Sequence, residues 1–253
     1  MTQAAKTGPG SATYDPGAFP AVAVAVDLVV LTIRAGRLSV LLIERGEEPF
    51  KDAWALPGGF VRPDETPAQS AEREFREETG LDLSGIHFEQ IATYGDPQRD
   101  PRMRVISIAY VAMLPDLPLP EPGTDASDAA WWVIDDLLTE DGPGLAFDHT
   151  SILNDGVERV RAKLEYTSLA CSFVPERFTI SDLRRVYEAV WNTQLEPANF
   201  RRKVLSTPGF VVALDKTTSN GVGRPAELFR AGQATQLQPA MVRAAPSRGE
   251  DKR

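Results

Sequence analysis

The sequence predicts an α/β protein in two parts: an α/β/α sandwich around a mixed sheet, then a smaller helix-turn-helix domain with a β wing. Three observations carry this. Apolar runs of strand length recur through the front half. A capped and strongly patterned helix sits among them between Gly59 and Leu81. The charge also changes sign along the chain: residues 1–174 hold 14 Lys/Arg against 28 Asp/Glu (net −14), residues 175–230 hold 9 against 6 (net +3), and residues 231–253 hold 4 against 2 (net +2), closing on the overall −9. An acidic front and a modestly basic back imply two domains with different partners, so overall acidity says little against nucleic-acid binding.

With 253 residues there is room for one large domain or two smaller ones, and 42% hydrophobic with 25% charged residues is ordinary for a globular protein. The one cysteine, Cys171, excludes an internal disulfide, suits a reducing cytoplasm and reads as a small core residue. Residues 1–18 are small, polar and Gly/Pro-bearing; without a secretory signal, they read as a flexible leader. Ala21 to Ile33 is the first strand, too short to span a bilayer and interrupted by Asp27, so no membrane association is expected. Leu38 to Glu44, after the Arg34-Ala35-Gly36-Arg37 turn, is the second.

Gly46 to Asp52 is a loop, and Trp54-Ala55-Leu56-Pro57-Gly58-Gly59 leads into the patterned helix. Thr66 caps that helix, with Pro67 at its first position and Gln69 three residues on, and Gly80 can end it in a left-handed turn. Ala68, Ala71 and Phe75 are expected to line its apolar stripe, while Glu74, Glu77 and Glu78, at i, i+3 and i+4, share one face. Like charges so placed repel by roughly a few tenths of a kcal/mol per pair. Two readings are open: a solvated acidic face, or a site for a hard divalent cation that takes oxygen ligands and a diphosphate. Gly58 and Gly59, which allow close backbone approach and offer carbonyl oxygens, favour the cation, as does the spacing of Glu65 and Arg73.

Ile86 to Tyr94 and Val105 to Met113 are further strands, and the Pro-pinned loop between them carries Arg99, Arg102 and Arg104. These arginines either clamp a diphosphate by bidentate contacts or belong to a solvated loop of local Asp/Arg pairs. Met103, among them, stands where it would narrow a ligand pocket. Leu114 to Asp128 is a proline-rich connection, and Trp131-Trp132-Val133 begins the last strand or bend, its tryptophans forming core or a base-stacking wall. His87 and His149 have no partner at metal-ligand spacing and read as structural. His149 starts a helix, Thr150 to Leu164, on which Arg159, Arg161 and Lys163 read as a solvated face.

Beyond Tyr166, Thr179 or Ser181 caps a helix on which Leu183, Val186, Tyr187 and Val190 recur at helical spacing. A turn at Asn192 to Glu196 leads to a second helix, Pro197 to Leu205, with Phe200, Val204 and Leu205 inward and Arg201, Arg202 and Lys203 outward. This is either a helix-turn-helix, whose second helix enters the major groove, or an accessory three-helix domain. Phe210 to Leu214 and Ala226 to Arg230 make a hairpin around Lys216 to Pro225, whose Gly221, Gly223 and Arg224 form a wing able to reach a minor groove. Gly232 to Arg253 lacks periodicity and reads as disordered.

The arrangement Gly59, Glu65, Arg73-Glu74-Phe75, Glu77-Glu78, Gly80-Leu81 resembles the Nudix box, the signature of hydrolases that cut nucleoside diphosphates linked to another moiety. Every defining position matches, with the bulky Phe75 at the hydrophobic one. The resemblance implies that Glu74, Glu77 and Glu78 hold or polarise a metal, Mg2+ or Mn2+, with Gly58 beside them, that Arg73 orients a glutamate, and that Gly59 shapes the turn. The join of this box to YTSLACSF, FTISDLRRVYEAVW, NFRRKVL and GRPAELFR resembles the NrtR family, Nudix-related transcriptional regulators of NAD metabolism, from about Phe19 to Phe229.

That second resemblance implies a cytoplasmic, homodimeric repressor of NAD-biosynthesis or salvage genes. Its Nudix domain, residues 19–164, would sense ADP-ribose and loosen a winged helix, residues 165–231, from operator DNA, with residues 232–253 a disordered tail. Asn199, Arg201, Arg202 and Lys203 would face the major groove, and Lys216 and Arg224 of the wing the minor groove or phosphates. Many family members have a decayed box, whereas this one is intact. An ADP-ribose pyrophosphatase giving AMP and ribose 5-phosphate therefore remains the alternative, alone or together with regulation.

Overall fold

In a computed structural model, residues 17, 20–80, 86–115, 126–140, 142–217 and 225–243 are described. The leader apart from Gly17, Leu81, residues 116–125 of the proline-rich connection, the wing tip with Gly221, Gly223 and Arg224, and residues 244–253 lie outside that set.

Strands β1 (Ala23–Arg34) and β2 (Arg37–Arg45) form an antiparallel hairpin. Ala35 (φ 47°) and Gly36 (φ 76°) both take left-handed conformations, as a two-residue hairpin turn requires. β3 (Trp54–Ala55) pairs with β2 and β4 (Gly58–Phe60) with β1, both antiparallel. β6 (Val105–Met113) lies parallel to β1, with β5 (His87–Tyr94) antiparallel beyond it, and β7 (Ala126–Val133) is antiparallel to β2. The sheet is mixed, as predicted.

Alternation along β1 sends Val26, Leu28 and Val30 to one face, where Ala71 and Phe75 of α1 (Pro67–Thr79) cover them. Val29 and Leu31 point to the other face, against Ile152, Val157 and Val160 of α3 (His149–Tyr166). Helices on both faces make the expected α/β/α sandwich, and α2 (Ile134–Leu137) is a single turn after β7.

The Thr66 hydroxyl accepts from the Gln69 amide while the Gln69 side chain accepts from the Thr66 amide, and Gly80 (φ 68°) closes α1 in the left-handed region. The buried stripe is not the one expected. Ala68 is exposed, whereas Ser70, Ala71, Glu74, Phe75 and Glu78 are buried. Stepping by four from Ser70 brings Glu74 and Glu78 round to the sheet and leaves Glu77 in solvent. Phe75 fills core, fully enclosed.

The back half folds as α4 (Ile180–Trp191), α5 (Pro197–Ser206), β8 (Val211–Thr217) and β9 (Glu227–Ala231). Thr179, not Ser181, is the cap, in a reciprocal box with Asp182. Asn192 (φ 49°) ends α4, and the Glu196 carboxylate accepts from the Ala198 and Asn199 amides to start α5. Leu183, Val186, Tyr187, Val190, Phe200, Val204, Phe210 and Phe229 form its core. Leu205, expected inward, is 47% exposed, because Phe200 and Val204 already occupy the i, i+4 positions facing α4.

No flexible linker separates the two halves. α3 runs on to Tyr166, and a 3-10 turn, Ser168–Phe173, sinks Leu169, Ala170 and Phe173 into a core continuous from the sheet to α4. Arg161 and Lys163 are accordingly not a solvated face: Arg161 donates to the Val190 carbonyl, Trp191 Nε1 donates to the Arg161 carbonyl, and Lys163 pairs with Glu89 on β5. Cys171 packs against this core, its thiol pushed up to about 12 by burial. No helix among the described residues is long and apolar enough to cross a membrane.

Residues 232–243 of the expected disordered tail are instead built into the fold. The amides of Ala234, Leu237 and Met241 donate to the carbonyls of Gly209, Tyr166 and Glu165, and Leu237 and Met241 are buried. Order here comes from long-range contacts with two apolar anchors, which leave no periodic trace. Met241→Ala is expected to cost about 2 kcal/mol in urea unfolding; an unchanged midpoint would mean the strap is not anchored there.

Candidate functional site

A cleft of about 370 Å³ opens where β1, β4, α1 and the start of α3 meet. Its floor holds Asp27, the one acid in the apolar run of β1. Ser107 Oγ donates to Asp27 at 2.5 Å, Arg99 Nη2 lies 3.1 Å away and His149 Nε2 3.3 Å away. The backbone amide of Leu56 donates to His149 Nδ1, so the neutral ring carries its proton on Nε2, facing Asp27. Burial alone would raise the Asp27 pKa; His149, Ser107 and Arg99 outweigh it and hold the carboxyl at about 2.

On the opposite wall Arg73 gathers the acidic helix. Its Nε and Nη2 make a bidentate pair with Glu65 at 3.0 and 2.7 Å, while Nη1 reaches Glu74 at 2.5 Å and Glu77 at 3.0 Å. The Arg73 hydrogen bonds hold Glu65 down at about 2, whereas burial pushes Glu74 up against the pull of Arg73. Among the described residues no three His, Cys, Asp or Glu side chains are grouped to hold a metal ion. Arg73 Nη1 supplies a positive charge that Glu74 and Glu77 share. The residues still fit a hard cation, because a Cβ at Gly59 would overlap the Glu74 carboxylate, and glycine lets that carboxylate lie against the β4 backbone among oxygen donors.

The three loop arginines part company. Arg99, only 5% exposed, donates to Asp148 at 2.9 and 2.6 Å as well as to Asp27. Arg102 pairs with Asp100 at 2.7 Å and lies over the rings of Phe60 and Phe147 at the cleft mouth. Arg104 bonds the carbonyls of Asp96 and Val105 and does not line the cleft; nor does Met103, which is 46% exposed. The reading of local Asp/Arg pairs fits Arg102, whose partner Asp100 is two positions away, whereas Arg99 fits neither expectation: it is buried and pairs with the distant Asp27 and Asp148. The cleft is also lined by Arg45, Arg62, Phe60, Phe147 and His149, none of which carries a sequence signal for it. Asp27 was legible only as the break in an apolar run.

On α5 the four residues assigned to DNA take three directions. Arg201 turns toward β9, Asn199 and Lys203 flank the strap residues Met241 and Val242, and exposed Arg202 donates from Nη2 to Asn199 Oδ1 at 2.8 Å. Lys216 is exposed on β8, and Arg224 lies outside the described residues. Trp131 and Trp132 are half-buried and pack against the cores on opposite faces of the sheet, Trp132 edge-on to Trp54 at 5.3 Å, so the two rings do not share one stacking wall.

The family model described as NUDIX domain matches residues 22–150, and the one described as NrtR DNA-binding winged helix domain matches residues 170–231. The chain belongs to the NrtR family. It is 33% identical to the ADPR responsive transcriptional repressor NtrR of Acinetobacter baylyi, over 87% of this chain and 86% of that one. Among solved structures, NrtR of Shewanella oneidensis complexed with a 27mer DNA matches with a TM-score of 0.69 at 28% identity, over 82% of this chain and 93% of that one. The NUDIX domain of the same protein complexed with ADP ribose matches at 0.53 and 34% identity, over 59% of this chain and 95% of that one. NrtR membership fits both halves of the geometry, an arginine-bearing acidic cleft and a helix-turn-helix with a two-stranded wing.

Proposed function

We propose that this NrtR-family chain is a cytoplasmic, homodimeric repressor of genes for NAD biosynthesis or salvage, binding operator DNA through its winged helix and ADP-ribose through its Nudix cleft. The observation that carries the reading is a single helix shared by both sites. At its start, Asp148 and His149 are tied to the cleft residues Arg99, Asp27 and Leu56. Near its end, Arg161 is bonded in both directions to α4. A ligand that shifts the start of α3 can thereby favour one placement of α4 and α5 over another. Coupling arises only if the two arrangements differ in ligand affinity.

The cleft residues that would hold Mg2+ or Mn2+ are Glu74, Glu77 and Glu78 with the Gly58 carbonyl, once Arg73 gives up part of its contact. When bound, such an ion supplies Lewis-acid polarisation of the diphosphate. Arg45 and Arg62, which line the cleft, and Arg102, once it leaves Asp100, would meet the remaining phosphate charge. A second reading, hydrolysis of ADP-ribose to AMP and ribose 5-phosphate, is favoured by one observation: all three glutamates of the box are retained beside the cleft.

One experiment tests both. Gel shifts on fragments upstream of NAD-biosynthesis genes, at fixed salt, should give a specific complex that saturating ADP-ribose weakens roughly 5- to 150-fold. The same samples are assayed for AMP. A complex indifferent to ADP-ribose would end the sensor reading. Rapid AMP formation that Glu74→Gln abolishes, with no shift on any fragment, would make the chain an enzyme alone.

A further inference from the structure

Arg201, on the candidate recognition helix, is not a free cation. Its Nη2 lies 2.9 Å from Oε2 of Glu227, the first residue of β9, and its guanidinium sits over the ring of buried Phe229, 5.9 Å from the centroid. Both partners are about half-exposed, at 48% and 42%. Among the described residues, Arg202 and Lys203 of the same helix form no ion pair, so Glu227 addresses one basic side chain of three. A carboxylate at this position is unexpected on a surface that must approach phosphates, because it repels them and offsets the charge of Arg201.

Resting on the repressor reading, we propose that Glu227 is a specificity-determining residue of the DNA-binding surface, positioning Arg201 for a base edge and suppressing binding to duplexes that lack the operator. The guanidinium has five N–H donors on a planar fork. Held at one nitrogen by Glu227 and on one face by Phe229, it keeps donors for a bidentate contact and loses little side-chain freedom in making it. A duplex gripped only through its phosphates gains almost nothing from the neutralised pair. A duplex that offers the right base edge gains the whole positioned fork. Glu227 itself is not required to touch the DNA.

The test titrates the full chain, E227Q, R201A and R201A/E227Q onto the operator duplex and onto a scrambled duplex of equal length, across a salt series. E227Q is expected to bind the scrambled duplex several-fold tighter, with a salt slope steeper by about 0.9, one additional phosphate contact. The ratio of operator to scrambled affinity should fall roughly 5- to 10-fold, within the range of one base contact. In the R201A background, E227Q should leave the ratio unchanged and tighten scrambled-duplex binding less than it does with Arg201 present, by the carboxylate's own repulsion alone. A purely structural Glu227 would move the melting temperature and leave the ratio alone. An unchanged ratio and slope, or equal changes with and without Arg201, would overturn the proposal. If the wild-type chain forms no specific complex, the repressor reading fails separately, and the scrambled-duplex slope still judges Glu227.

Discussion

Alanine at Arg201 and Arg202 together is expected to abolish operator binding while leaving the fold intact. If each exposed guanidinium of α5 supplies one base or phosphate contact, at about 1–3 kcal/mol apiece, losing the pair should weaken binding roughly 30-fold to 10⁴-fold. Folding tolerates the change because neither side chain is buried. Surface pairs such as Arg201–Glu227 contribute about 0–1 kcal/mol, and alanine is the best helix former for the vacated positions. Gel shift and circular dichroism on the same preparation check both parts. Normal operator binding by the folded double variant would remove α5 as the recognition helix.

Arg99→Leu is expected to behave oppositely, destabilising the protein by about 3–5 kcal/mol. Arg99 is the buried guanidinium that pairs with both Asp27 and Asp148, so its loss leaves Asp148 without its bidentate partner and Asp27 with only Ser107 and His149. Removing one member strands the others, whereas Asp27→Asn combined with Arg99→Leu should cost less than the sum of the single changes. Urea unfolding of the three variants provides the measurement. A loss under about 1 kcal/mol together with weakened ADP-ribose binding would return Arg99 to the role of ligand clamp.

Helix α1 shows how far local chemistry reached. Thr66, Pro67, Gln69 and Gly80 announce a helix with both ends specified, and all four act as expected, because a capping box and a left-handed terminus are formed by residues within four positions of one another. The hairpin turn at Ala35-Gly36, the strands on either side of it and the apolar faces of α4 belong to the same class. Period and turn chemistry were sufficient for them. The placement of Glu74 and Glu78 on the sheet side of α1 was not legible, since i, i+3 and i+4 positions look alike until a sheet selects which of them it covers.

The arginine loop marks the other limit. Spacing alone could not tell a diphosphate clamp from local ion pairs, and the answer differs residue by residue. Arg99 is claimed by Asp27, 72 positions earlier, and by Asp148, 49 positions later. Arg104 is taken by backbone carbonyls nearby. The strap at residues 232–243 leaves no local signal for the same reason, because Leu237 and Met241 are ordered by carbonyls of α3 some seventy positions away.

The amino-acid sequence by itself determined two domains of opposite charge, a mixed sheet between helices, a capped acidic helix beside a Gly-Gly turn, and a helix-turn-helix with a basic second helix. Those features are set by short-range rules of periodicity, capping and turn geometry. Only the tertiary structure decided that the domains share one continuous core, that α3 touches both sites, that Arg73 stands among the glutamates, and that Glu227 holds Arg201. Each of those depends on which distant charges and apolar surfaces meet when loops close, and a buried charge takes whatever partner the fold brings within hydrogen-bond reach.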